Sequence, residues 1–175
     1  CLRLLRQLGV EAFTTRRDSA AAPFVVRGPM RAGKATVSGL TSQWTSSILI
    51  AAPLCKGRTR IELPEPRETP YIEMTIDWMR KSGVTVAYDE RNFNWFEVEG
   101  VQEYRPFERD IPSDWSSVAF PLVAALGEGS RVRIDNLDFN DKQGDMKIVD
   151  YLLKMGADIE RDERYPVRVT VQFYK

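Results

Sequence analysis

The chain has 175 residues, of which 43% are hydrophobic, so it is expected to bury a core as one domain or two small ones, and a disordered chain is excluded. Lys plus Arg and Asp plus Glu both number 25, so no net basic field draws the chain to nucleic acid or to a membrane surface, and any phosphate must be recognised locally. Histidine is absent and only Cys1 and Cys55 occur, without CxxC spacing; neither a metal site, nor a cofactor, nor a disulfide framework is indicated, and a reducing, cytoplasmic compartment fits.

In chain order, CLRLLRQLG reads as an amphipathic helix and VEAF and PFVVRG as strands. The strand KATVSG follows, then a helix over 42 to about 55, the strand RTRIEL, a helix over 71–82, and the strands VTVAY and FNWFEVEG. The remainder repeats that order: EYRPF as a strand, a helix after Asp114, SRVRID, a helix over about 145–155, ADIE and PVRVTVQF. The acidic stretches DNLDFND and ERDER read as solvated loops without EF-hand spacing. No apolar run reaches the roughly 18 residues of a membrane span, and no signal-peptide pattern opens the chain. The start at Cys1, directly on an uncapped helix and without an initiator Met, is how an excised piece begins.

Two phrases recur at one period. LRQLGVEAF, MRKSGVTVAY and LKMGADIE each join a helix end, a capping glycine and a short strand, and Gly9, Gly83 and Gly156 stand 74 and 73 residues apart. SQWTSSILIAAPLCKGRTRIE from Ser42 likewise matches SDWSSVAFPLVAALGEGSRVRID from Ser113, tryptophan for tryptophan. The predicted architecture is therefore α/β, built of βαβαββ units: residues 1–28 the tail of one unit, 29–100 and 101–175 two complete ones, all in one globular domain. The nearly unbroken apolar runs ILIAAPL and VAFPLVAAL predict that the first helix of each unit is surrounded by sheet on several sides. Pro53 and Pro121 within them predict a kink or early termination. The second helices, with Ile72, Ile76 and Met79 or Ile148, Leu152 and Met155 at helical spacing, should face a core on one side.

The candidate chemistry lies in LTSQWTSS, starting at Leu40. A helix N-terminus presents unpaired N–H groups and partial positive charge, so Thr41, Ser42 and Gln43 could complete a phosphate or carboxylate site without a lysine. Ser and Thr at such a position are also ordinary helix caps, which is their commoner use. The repeat discriminates between the two copies. SDWSS places Asp114 where Gln43 stands, and a carboxylate there suits the helix dipole but repels an anion, so only the first copy suits an anionic ligand. The second candidate is PRETPYIEM, in which Tyr71 opens a helix as a packing residue or as a ring stacked on a ligand. Trp44, Trp95 and Trp115 are read as structural.

The ordered set TSQ, AAPL, PYIEMT, SDWSSVAF, QGD and LKMGADI resembles the enolpyruvyl transferases, specifically the EPSP synthase family, over essentially the whole chain. The sibling family acting on UDP-N-acetylglucosamine shares the fold but lacks the SQ and PY pair as they stand here. The resemblance implies a two-domain enzyme, each domain an inside-out, barrel-like arrangement of three βαβαββ units around buried parallel helices, with the active site in the cleft. This chain would be most of one domain and a little under half of the enzyme. The implied reaction transfers the enolpyruvyl group of phosphoenolpyruvate to the 5-hydroxyl of shikimate 3-phosphate in aromatic amino acid biosynthesis. Thr41 and Ser42 would bind the phosphate of shikimate 3-phosphate, Gln43 would bridge the two substrates, and Tyr71 would pack on the shikimate ring.

Two positions depart from the family pattern. Thr41 stands where a serine is usual and keeps the hydroxyl. Glu68 stands where the family has a second phosphate-binding serine, so either Glu68 turns outward and Thr69 substitutes for it, or the accepted substrate differs. The family's proton shuttle and its Lys and Arg cluster around phosphoenolpyruvate come from a basic N-terminal segment, a glycine-rich loop and the opposite domain, whose motifs do not occur here. No catalytic residue is therefore assigned, and the chain is expected to be inactive without the remainder of the enzyme. The alternative is a stand-alone, non-catalytic phosphate-ligand binding module of the same fold.

Overall fold

The computed structural model describes residues 2–17, 21–127, 130–162 and 167–172. Cys1, the second half of ERDER and both ends of PVRVTVQF lie outside them. The chain packs as two units, residues 1–107 and 108–175.

The first unit opens with α1 (Leu2–Gln7), β1 (Glu11–Thr14) and β2 (Phe24–Arg27). β1 and β2 form an antiparallel ribbon with Glu11 opposite Arg27. Gly9 sits at φ +75, the left-handed conformation that ends a helix, and Val10 N–H then reaches back to Leu5 O at 3.1 Å. Next come β3 (Lys34–Thr36), α2 (Ser42–Ala51), β4 (Arg58–Glu62), α3 (Thr69–Lys81), β5 (Ala87–Tyr88) and β6 (Trp95–Glu99). The sheet order is β3-β4-β6-β5. β3 and β4 pair parallel because α2 carries the chain back across the sheet, while β6 runs antiparallel to both β4 and β5. The βαβαββ unit expected from the sequence is present in this part of the chain.

Ile48 and Leu49 of α2, Ile72, Ile76 and Met79 of α3, and Ile61, Phe96 and Val98 of the sheet are all buried in one core. Burying each aliphatic side chain there contributes about 1.5–3 kcal/mol. α3 thus buries the three residues its periodicity marks. α2 ends at Ala51 and tightens into a 3-10 turn, Ala52–Leu54, where Pro53 has no N–H to continue the ladder. Its expected enclosure is not met within the unit. Ile50 is 51% and Leu54 70% exposed, because one sheet covers only one side of the helix.

The second unit contains α4 (Trp115–Ala124), β7 (Arg131–Leu137), a 3-10 turn over Gly144–Met146, α5 (Lys147–Lys154), β8 (Asp158–Asp162) and β9 (Val167–Gln172). Its sheet order is β7-β9-β8, antiparallel throughout. Trp115, Val118, Leu122, Leu137, Val149 and Leu152 form the core. Phe120 and Val123 lie exposed on α4, for the same reason as Ile50 on α2. α4 runs through Pro121 to Ala124, so the proline does not terminate it.

Three further expectations change here. EYRPF is not a strand: Arg105 N–H donates to Ser82 O at 2.8 Å, Tyr104 Oη donates to Ile50 O at 2.8 Å, and Pro106 has no N–H for a ladder. Met155 is 79% exposed beyond the end of α5, and Val149 with Leu152 carries its buried face. DNLDFND and ERDER are partly strand, since β7 runs to Leu137 and β8 to Asp162. Among the described residues no helix is long and apolar enough to cross a membrane.

Candidate functional site

The turn from β3 into α2 is shaped by Gly39. A Cβ on Gly39 would lie 1.6 Å from Glu65 O, so only glycine lets the 39–41 turn pass against the backbone of the 64–68 loop. Thr41 is extended at φ −141 and ψ 149, which releases Ser42 to begin the helix. Thr41 caps α2 by position alone. Its side chain accepts no hydrogen bond from the helix, and its buried Oγ1 has no partner among the described residues.

That close approach brings Glu68 to the helix N-terminus. One carboxylate oxygen of Glu68, Oε2, accepts from Ser42 N–H at 2.9 Å and from Ser42 Oγ at 3.0 Å. Those two bonds hold its carboxyl below the usual carboxylate range, the backbone N–H having the larger effect. Glu68 is itself the residue before α3 and sits in the left-handed region at φ 52, with Tyr71 N–H donating to its carbonyl at 3.1 Å. Glu68 stays exposed, yet its carboxylate turns toward Ser42 and not away from the start of α2, unlike the outward alternative. The first turn of α2 contains no acidic residue, and Glu68 supplies the negative charge that the helix end attracts.

Of the residues singled out in the sequence, Ser42 is buried, Thr41 is half-buried and Gln43 is exposed on the first turn of α2. Thr69 and Tyr71 are half-buried on the first turn of α3. The bonds to Ser42 belong to Glu68. α2 and α3 are tied one turn further in, where the hydroxyls of Ser46 and Thr75 meet at 2.8 Å and Thr75 Oγ1 also donates to Tyr71 O. A cavity of about 640 Å³ lies beside this site in the same unit, lined among others by Arg3, Gln7, Thr36, Ser38, Trp44 and Glu65. Thr41, Ser42, Gln43 and Tyr71 do not line it, although their neighbours Gly39 and Trp44 do. The one signal of it in the sequence is the polar face of α1, from which Gln7 Oε1 accepts Thr36 N–H at 2.8 Å.

The matching position in the second unit is closed from within. Asp114 accepts from Ser116 N–H at 3.3 Å and Ser117 N–H at 3.0 Å, and both serine hydroxyls also donate to it. These bonds hold its carboxyl below the usual range. Trp115 N–H is taken by Gln143 Oε1 at 2.7 Å, a bridge between residues 28 apart that local patterning does not announce. α4 therefore has a cap of its own, whereas α2 draws its acceptor from another loop.

Two solved structures share this architecture across both units. The EPSP synthase from Acinetobacter baumannii matches with a TM-score of 0.68 and 25% identity over 96% of this chain and 38% of that one. The enolpyruvyl transferase NikO from Streptomyces tendae matches with a TM-score of 0.70 at 16% identity, over 98% of this chain and 41% of that one, a likeness of fold alone. The fold is that of the enolpyruvyl transferases. The family model for EPSP synthase (3-phosphoshikimate 1-carboxyvinyltransferase) matches residues 1–173. A 3-phosphoshikimate 1-carboxyvinyltransferase of Methanothrix thermoacetophila is 41% identical over 172 residues, 97% of this chain and 39% of the relative. That of Ruminiclostridium cellulolyticum is 39% identical over 158 residues, 90% of this chain and 37% of the relative. The chain belongs to the EPSP synthase family. It spans about two fifths of the length of these curated relatives.

Proposed function

We propose that this chain is the shikimate-phosphate side of an enzyme that transfers the enolpyruvyl group of phosphoenolpyruvate to shikimate 3-phosphate, acting in the cytoplasm with a remainder that supplies the catalytic groups. Thr41 and Ser42 take the ester phosphate at the N-terminus of α2, Gln43 reaches toward both substrates, and Tyr71 packs on the carbon ring. Thr69 lies one residue from Glu68 and serves at most as a secondary contact. Both units belong to one domain of that enzyme.

The observation that supports this reading most is that Ser42 already holds a carboxylate oxygen with both its N–H and its hydroxyl. Such a pair of donors at a helix N-terminus is an anion-binding arrangement. The buried Thr41 Oγ1 beside it has no hydrogen-bond partner among the described residues, and a phosphate oxygen would satisfy it. The match over residues 1–173 to the EPSP synthase family supports the substrate class.

The test is a soak of crystals of the chain in shikimate 3-phosphate, with affinity measured in parallel by calorimetry. The expected result is phosphate density within hydrogen-bond reach of Ser42 at an affinity near millimolar, about 4 kcal/mol, and loss of binding in Ser42→Ala with Gln43→Ala. Unchanged binding in that double variant would reduce LTSQWTSS to a helix cap. The chain alone is expected to release no phosphate from phosphoenolpyruvate in the presence of shikimate 3-phosphate, and turnover above a buffer control would show that it carries its own catalytic groups.

A further inference from the structure

We infer that Glu68 is a built-in competitor for the ligand anion: its carboxylate occupies the donors of Ser42 in the free protein, and an anionic ester enters only by displacing it. This rests on the reading of Ser42 as an anion site and specifies how that site discriminates.

The geometry leaves no room for both anions. A single oxygen of Glu68 takes the N–H of Ser42 at 2.9 Å and its Oγ at 3.0 Å, so a phosphate oxygen on the same donors would meet a carboxylate oxygen at contact distance. Two like charges at that separation repel, and the one with more charge and more contacts remains. The occupancy also has a conformational side. Glu68 is a non-glycine residue in the left-handed region at φ 52 and ψ 37, a conformation that persists only where surrounding contacts hold it. Here the contact on the side chain is Ser42. Displacement would therefore free the residue that precedes α3, three positions before Tyr71.

The second unit provides the comparison. There the carboxylate is Asp114, the cap of α4 itself, fixed by two backbone N–H groups and two hydroxyls. It cannot leave without uncapping its own helix. Glu68 reaches its helix from 26 residues away through one residue only, on an exposed side chain. The first is a permanent cap; the second is exchangeable. The discrimination that follows is by charge: a phosphate dianion displaces Glu68, whereas the same ligand without its phosphate does not.

The experiment titrates inorganic phosphate into the full chain and its Glu68→Gln and Glu68→Ser variants, followed by NMR at the Ser42 amide and, in the unmodified chain, at the Glu68 side-chain carboxyl carbon. Both variants are expected to bind phosphate at least about tenfold more tightly than the unmodified chain, since each removes the competing charge. Saturating phosphate is expected to move the Glu68 carboxyl resonance toward that of a free glutamate. Equal affinity in all three proteins, with binding still lost in Ser42→Ala, would overturn the competitor and leave the anion site standing. A Glu68 carboxyl resonance unmoved at saturation would do the same without any substitution. Absence of phosphate binding in both Glu68 variants would overturn the anion site, and the inference with it.

Discussion

Replacing Gly39 by alanine tests the link between backbone packing and the site. The added methyl carbon would lie 1.6 Å from Glu65 O and 2.6 Å from Glu65 C, where real contacts do not fall below 3.0 Å. One backbone segment must therefore retreat by roughly 1.5 Å, and the 64–68 loop is tied to α2 by the bonds between Glu68 and Ser42. Overpacking of this kind costs typically 1–3 kcal/mol, and the atoms struck here belong to backbone, so the cost belongs at the upper end, about 3 kcal/mol. For a chain of this size that lowers Tm by about 6–12 °C. Because Glu65 lies three residues before Glu68, the retreat also pulls the Glu68 carboxylate off Ser42. The assay is thermal unfolding by circular dichroism, with the Ser42 amide shift as the local readout. Gly33→Ala is the control, since the nearest atom to its Cβ is Leu8 Cδ2 at 4.0 Å, and it should be neutral within about 0.5 kcal/mol. A Gly39→Ala protein as stable as Gly33→Ala, with the Ser42 amide unmoved, would refute the reasoning.

Two further outcomes are expected. Asp114→Ala removes the N-cap side chain of α4, leaving only Gln143 on the Trp115 N–H among the described residues, and should cost about 1 kcal/mol in urea unfolding at pH 7. Because the folded protein holds this carboxyl below its ordinary value, its contribution is present above the ordinary carboxylate range and is lost as the pH falls through the depressed value. The difference between unmodified chain and variant should accordingly shrink on acidification, and a gap that widens would contradict the assignment. Cys55 is buried, and burial pushes its thiol up. In a Cys1→Ser background it should react with a thiol reagent at pH 8 far more slowly than the same residue in urea, and equal rates would place it at the surface.

Sequence alone determined which segments are helix and which are strand over most of the chain, because hydrophobic period and end signals are properties of neighbouring residues. Ile72, Ile76 and Met79 recur at helical spacing and are buried, and Gly9, Gly83 and Gly156 all adopt the positive φ that their repeated phrase requires. The position of the candidate site was legible for the same reason, since a Thr-Ser-Gln triplet at the start of a helix is a local arrangement. Tertiary structure decided what fills it. A helix end attracts an acceptor, but which acceptor arrives depends on which loop passes within 3 Å, and Glu68 stands 26 residues away. The same limit explains the other corrections. EYRPF has the alternation of a strand, but its backbone groups meet Ser82 rather than a neighbouring strand. The apolar runs of α2 and α4 record that their residues avoid water, and the period cannot say that one sheet covers only one side, leaving Ile50 and Phe120 exposed within their units. Local chemistry specifies the elements; the distances between residues remote in sequence specify their partners.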